Sequence, residues 1–204
     1  MIFCLRLLTN WEVKGKDNVP VEGALLVVAN HLNNADPPLV AVSIPRKTMF
    51  MAKQELFKSP IIRYFVGSFG SFPVNRTIVD RHALRQAGET LDNGWCLVMF
   101  PEGKRSRSGS LQQAFPGSAL IATRNNITVL PVGISGTEKM GGWKWIFKRP
   151  RVIVNIGKPF YLHPANGKVT KEELTDLTDD LMYHIAQLLP ADYHGYYAES
   201  VKQH

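Results

Sequence analysis

The sequence predicts an α/β fold, one domain in which a mixed, largely parallel sheet is flanked by helices. Short apolar runs closed off by turn residues alternate along the chain with amphipathic segments, the pattern of strands and their covering helices. The 204 residues, 45% hydrophobic and 20% charged, fall in the globular range. No internal repeat, low-complexity tract or long linker divides them. A chain of about 200 residues hides roughly 70% of its unfolded surface. A single domain over residues 1–204 therefore needs neither disulfide nor metal to hold its core.

The first strand is expected at 25–29, where Leu25, Leu26, Val27, Val28 and Ala29 form an unbroken apolar run. A short helix follows at 38–43, then a strand at 49–53, a helix at 55–66 and a strand at 72–75. The helix at 80–92 carries its own punctuation, with Asp80 as N-cap and Gly94 as terminator. A strand at 96–100, a helix at 116–125 and a strand at 128–134 come next, and a last strand lies at 152–156. Thr170 and Glu173 have capping-box spacing and open a helix over 171–189. The loops 103–113 and 136–150 are long enough to be working loops rather than plain connections.

Charge and cysteine content narrow the function classes. Lys plus Arg number 24 against 17 Asp plus Glu, a formal net charge of +7, which suits nucleic acid, anionic lipid or phosphorylated substrates alike. Cys4 and Cys96 lie far apart with no CxxC spacing, so neither a zinc site nor an oxidising compartment is indicated. His82, His163, His184, His194 and His204 are scattered and show no ligand spacing, so no metal is expected. Spanning a bilayer takes about 20 consecutive apolar residues, and no such run exists. The first eight residues are apolar with one Arg, too short for a span or a signal peptide. Residues 1–10 read either as the end of a membrane-contacting helix or as a helix docked on the core.

Four segments carry chemistry. The segment that starts at Asn30 directly follows the strand at 25–29 and puts His31 at the strand's end, the place where α/β proteins put active sites, and Asp36 stands five residues on across a turn. A carboxylate there can fold back to hold Nδ1–H while the imidazole acts as general base, a dyad without a nucleophile of its own. The same residues also read as an N-cap before Pro37 and an ordinary loop histidine. The loop after strand 96–100 packs Glu102, Gly103, Lys104, Arg105 and Arg107 among serines, which suits a phosphate monoester or a merely solvated charged loop. Val98 stands where a nucleotide P-loop needs its first Gly, which disfavours ATP chemistry. Arg76, at the end of strand 72–75, is either a surface charge or a third anion-binding group. Gly133, Ile134, Ser135 and Gly136 miss a nucleophile elbow because Thr137 occupies the second Gly position. Pro131 marks an edge, a bulge or a wall beside the site.

Together these segments resemble the lysophosphatidic acid acyltransferases of the PlsC-like glycerolipid acyltransferase group. Asn30, His31 and Asp36 match the NHxxxxD block, and residues 70–76 match the G-x-F-x-V-x-R block. Residues 100–105 match the FPEGTR block, and Leu130, Pro131, Val132 and Gly133 match the proline block. All four occur in order, each at a strand end or within a strand, over about half of the chain. The sequence departs from the pattern at Lys104, where Thr is usual, and in opening without the longer apolar segment that many bacterial relatives carry. The resemblance implies direct acyl transfer from acyl-CoA or acyl carrier protein to lysophosphatidic acid, giving phosphatidic acid, with no cofactor. It implies His31 as base and Asp36 as its orienting partner, Arg105, Arg76 and Lys104 on the acceptor's phosphate, and Glu102 and Gly103 positioning the acceptor. Pro131 would belong to the substrate site. Acylation of glycerol 3-phosphate or another lysolipid, and a catalytically silent lipid-binding module, are the rival readings.

In the segment 141–151, Trp143, Trp145 and Phe147 interleave with Lys144, Lys148, Arg149 and Arg151. Rings at headgroup depth and cations near lipid phosphates make 137–151 an interfacial loop. Stacking on nucleic acid and packing of the tryptophans into the core use the same residues, and no nucleic-acid partner is expected. A membrane lipid surface is the expected partner, and the cytoplasmic face of a membrane, with peripheral or N-terminal attachment, the expected location.

Overall fold

Alternation along the central strands divides the hydrophobic core in two. Leu26 and Val28 of the strand Leu25–Ala29 join one buried cluster, while Leu25, Val27 and Ala29 join the other. All five are buried, as in a strand covered on both faces. The structure, a computed structural model, describes residues 9–75, 80–143, 145–164 and 169–202. Among these, seven strands form one sheet: β1 (Asn10–Lys14), β2 (Leu25–Ala29), β3 (Thr48–Lys53), β4 (Ser71–Val74), β5 (Cys96–Met99), β6 (Thr128–Ser135) and β7 (Arg151–Ile156). Their order is β1-β7-β6-β2-β5-β3-β4. β6, β2, β5, β3 and β4 run parallel to their neighbours, and β7 reverses direction against β6 and carries β1 parallel to itself. The mixed, largely parallel sheet read from the sequence is therefore present.

Helices cover both faces. On the face of Leu26 and Val28 lie α3 (Arg81–Asp92) through Ala83, Ala87 and Leu91, α4 (Gly117–Asn125) through Ala119 and Ile121, and α6 (Lys171–Ala186) through Leu181, Met182 and Ile185. The other face is covered by α1 (Asp36–Ser43) through Leu39 and Val40, with Met140 and Trp145 beside them. Between these helices in the chain stand α2 (Pro60–Ser68) and the single turn α5 (Trp145–Lys148), and α7 (Ala198–Lys202) ends the series. The capping chemistry holds: Asp80 accepts from the Ala83 N–H, and Thr170 with Glu173 forms a complete capping box.

The structure corrects several boundaries. β1 was not expected, because Asn10, Trp11, Glu12, Val13 and Lys14 show too little apolar character for a strand signal and sit at the sheet's edge. The expected helix at 55–66 is broken into a 3₁₀ turn, Gln54–Lys58, and α2. The break falls at Ser59, which is extended (φ −85°, ψ 124°) because the ring of Pro60 disfavours a helical residue before it. α1 starts two residues earlier than read, at Asp36, and α6 stops at Ala186. Residues 1–8 lie outside the described residues, Thr9 is buried, and Asn10 opens β1.

Pro131 is not on an edge strand. It lies buried in β6, between β2 and β7, opposite Val28. Its missing N–H faces the flank where the neighbouring chain has left β7, between Gly157, whose N–H donates to the Pro131 carbonyl at 2.9 Å, and the Val129–Phe160 bridge. No ladder bond is lost there.

Candidate active site

β2, β5 and β6 are parallel, so the segments that leave their C-terminal ends gather at one end of the sheet. The segment after β2 starts with Asn30, whose side-chain amide donates to the Ile134 carbonyl at 2.8 Å and accepts from the Ile134 N–H at 2.7 Å. This buried amide continues the β2–β6 ladder by one rung and sets where the chain turns away. His31 is the next residue. Its Nδ1 lies 2.8 Å from Asp36 Oδ2, and the same oxygen accepts from the Leu32 and Asn33 N–H groups, each at 2.6 Å. Asp36 is the first residue of α1, but its carboxylate turns back onto the loop rather than capping the helix. The N-cap alternative is thereby excluded. An ionised carboxylate can only accept, so Nδ1 carries the hydrogen, and Nε2 is left with its lone pair to take a proton.

The His31 ring stacks on Phe100 at 4.3 Å between centroids. Phe100 follows β5 and also lines an apolar cavity of about 310 Å³, together with Met51, Leu84, Met99, Leu120 and Ile121. The ring of Phe100 is thus shared by the dyad and the cavity. Gly103 lies at the rim of the same cavity with φ +67°, and a Cβ there would stand 2.9 Å from the ring of Phe115. Both the backbone turn and the close ring require glycine at this position.

Glu102 is fully buried. Its Oε1 accepts from the His31 N–H at 2.9 Å, and its Oε2 accepts from the Gln112 N–H at 3.0 Å and the Gln112 amide at 3.3 Å. The carboxylate that the resemblance puts beside the acceptor ties the His31 segment to the loop after β5. The Ser106 N–H, donating to the His31 carbonyl at 2.7 Å, completes the tie. Burial pushes the Glu102 carboxyl above its ordinary range, against the opposing pull of those donors. The folded chain therefore holds this proton more tightly than the unfolded chain, whose carboxyl titrates near 4.5. The stability so contributed is complete below that pH and is lost as pH rises through the folded value. In Glu102→Gln the titration is gone. The stability of the native chain minus that of the variant, read from urea melts, is expected to fall as pH rises from below 4.5. A difference constant with pH would show that burial does not shift this group.

The far end of the same loop is fixed by the C-terminal segment. Leu111 donates to the Tyr193 carbonyl at 2.8 Å and accepts from the Tyr196 N–H at 3.0 Å, while the buried Tyr197 hydroxyl accepts from the Ala114 N–H at 3.1 Å. No sequence signal pointed to this strap. Two of its bonds are main-chain pairings and the third uses a tyrosine hydroxyl, and all join segments remote in sequence.

Lys104 and Arg105 are exposed on the loop after β5 and form no ion pair among the described residues. Arg76 lies outside the described residues. Pro131 sits below the site in the sheet and does not line the cavity. Cys96 is a buried strand residue whose thiol is pushed up by burial. Of the remaining histidines, His184 stacks on Phe160 at 4.0 Å and His194 meets the Leu189 carbonyl at 3.1 Å. Among the described residues no group of three or more His, Cys, Asp or Glu side chains could hold a metal ion.

Residues 10–135 match the family model described as Acyltransferase. The chain is 29% identical over 164 residues to the 1-acyl-sn-glycerol-3-phosphate acyltransferase of Streptococcus pneumoniae, covering 76% of this chain and 60% of that protein. To the enzyme of the same name from Bacillus subtilis it is 26% identical over 179 residues, covering 87% of each. Its fold superposes on the crystal structure of the 1-acyl-sn-glycerophosphate (LPA) acyltransferase PlsC from Thermotoga maritima with a TM-score of 0.68 and 28% identity. That match covers 98% of this chain and 76% of the other.

Proposed function

The chain belongs to the acyltransferase family, and within it we propose that the protein transfers a fatty acyl group from acyl-CoA or acyl carrier protein to lysophosphatidic acid, forming phosphatidic acid without metal or cofactor. The single observation that carries this reading is the sharing of Phe100 between the His31–Asp36 dyad and the apolar cavity. A base for a hydroxyl and a largely apolar groove for an acyl chain meet at one ring. Nε2 of His31 takes the proton of the acceptor hydroxyl as its oxygen attacks the thioester carbonyl. The tetrahedral intermediate then collapses, the C–S bond breaks, and the thiolate leaves with the proton that the imidazolium returns. Asp36 stabilises the imidazolium between the two transfers. Holding both substrates at this end of the sheet converts a bimolecular encounter into a local one. The names of the relatives, which specify 1-acyl-sn-glycerol-3-phosphate, support this acceptor. So do the exposed Lys104 and Arg105 beside the dyad's loop. A lipid acceptor and product also support work at a membrane surface, which we place on the cytoplasmic face.

Thiol release from acyl-CoA and from acyl carrier protein, with and without lysophosphatidate in lipid vesicles, tests the reading. Release that requires the acceptor is expected. No release with either donor, from folded and vesicle-bound protein, would favour a silent lipid-binding module. Arg105 gives a sharper test of the acceptor. A charge-assisted hydrogen bond to phosphate is worth about 1.5–3 kcal/mol, so Arg105→Ala should raise KM for lysophosphatidate by about 10- to 100-fold, with a smaller effect on kcat. An unchanged KM would remove Arg105 from the phosphate site.

A further inference from the structure

α2 is built inside out. The neighbouring α3 buries Ala83, Ala87 and Leu91 and turns Arg81, Arg85 and Glu89 to solvent, as a helix on a sheet does. Neither α2 nor the 3₁₀ turn before it has a single buried residue. Along α2, Ile61, Tyr64 and Phe65 fall at i, i+3 and i+4, so they share one face, and they are 81%, 83% and 59% exposed. The face that projects furthest from the protein is therefore apolar, and Arg63 is the helix's only charge.

The position of this element gives its partner. β3 runs parallel to β2, β5 and β6, so the segment 54–68 leaves the sheet at the same end as His31 and the loop after β5. The loop after β6 leaves there too and carries the exposed Trp143 (66%) and Phe147 (78%). In the sheet order β6-β2-β5-β3 these two apolar elements start three strand spacings apart, about 14 Å, with the dyad's β2 and the cavity's β5 between them. Met51 of β3 lines the apolar cavity, so the strand that leads into the element is also a wall of the groove. Lys58 and Arg63 form no ion pair among the described residues, and the segment's one acid, Glu55, is 3.3 Å from Lys53. Apolar side chains with exposed cations beside them complement an anionic lipid surface. A second copy of the chain would bring the same cations face to face.

We propose that the segment Gln54–Ser68 is a bilayer-contact element, with Ile61, Tyr64 and Phe65 immersed at headgroup depth and Lys58 and Arg63 on anionic lipid phosphates. With the loop after β6 it makes a two-point seat that turns the His31 end of the sheet toward the membrane. The proposal rests on the lipid-acceptor reading above and adds the surface through which the lipid is reached.

Vesicles of phosphatidylcholine and phosphatidylglycerol provide the test. Ile61→Glu combined with Tyr64→Glu changes two residues more than four-fifths exposed, so the fold should persist, as thermal melting would check. Burying one large apolar side chain is worth a factor of about ten or more, so co-sedimentation of the double variant with vesicles is expected to fall at least tenfold. Equal sedimentation overturns the proposal. An environment-sensitive fluorophore on Tyr64→Cys, in a chain also carrying Cys4→Ser, should shift to the blue and brighten when vesicles are added. Emission that stays characteristic of water overturns it as well. So does a native dimer that the double variant dissociates while vesicle binding stays unchanged, because the face would then belong to a second copy. The acyl-transfer reading is judged separately, with short-chain donor and lysophosphatidate in solution and no vesicles. There the double variant should release thiol at the native rate. Failure of the native chain to do so would sink that reading and leave the partition result standing.

Discussion

His31→Ala is expected to abolish turnover and to leave the protein folded. A positioned general base contributes about 10²–10⁴ in rate, and the other carboxylates of the site, Asp36 and Glu102, are fully buried. The fold should tolerate the loss because the loop is not held by the ring. Asp36 Oδ2 still accepts from the Leu32 and Asn33 N–H groups, and the backbone of residue 31 still donates to Glu102 and accepts from Ser106. The measurement is acceptor-dependent thiol release, with a thermal melt as control. A folded variant that keeps more than a few per cent of the native rate would remove His31 from the proton path.

Asp36→Asn separates charge from positioning. In many dyads an amide can flip and select the wrong imidazole tautomer. Here two backbone N–H groups converge with Nδ1 on a single oxygen, so the amide's oxygen is held at the Oδ2 position and the tautomer is kept. The amide nitrogen then replaces Oδ1, which is buried without a hydrogen-bond partner, and adds about 1–3 kcal/mol of unsatisfied donor. What is lost in catalysis is the negative charge facing the imidazolium. At about 4 Å and an effective dielectric of 20 that attraction is about 4 kcal/mol, or close to 10³ in rate. Asp36→Ala should lose more, since it also frees the ring and leaves two N–H groups unpaired. Steady-state kcat and urea melts on both variants check this. Equal kcat for the asparagine variant and the native chain would show that the charge is not needed.

The sequence made the sheet's interior legible because burial on both faces leaves an unbroken apolar run, as in Leu25 to Ala29. Where a strand lies at the edge, as β1 does, that signal fades, and pairing with β7 rather than composition decides. His31 and Asp36 were readable because their partnership is local, five residues apart on one turn. Glu102 was visible as a motif residue but not in its role, because the donors that engage it, at His31 and Gln112, come from two segments that only the fold brings together. The outward apolar face of α2 was hidden for a related reason. Periodicity shows that Ile61, Tyr64 and Phe65 share a side, and only the finished sheet shows that this side meets no protein.

The strap from Tyr193 to Tyr197 bears on the order in which the protein is made. The seventh strand is finished at Ile156, and with it the sheet that carries the dyad. The loop that receives His31's backbone gains its bonds at Leu111 and Ala114 only when residues 193–197 have been made, well after that. The residues that form the His31–Asp36 pair are therefore made long before those that fix the far end of the loop beside it.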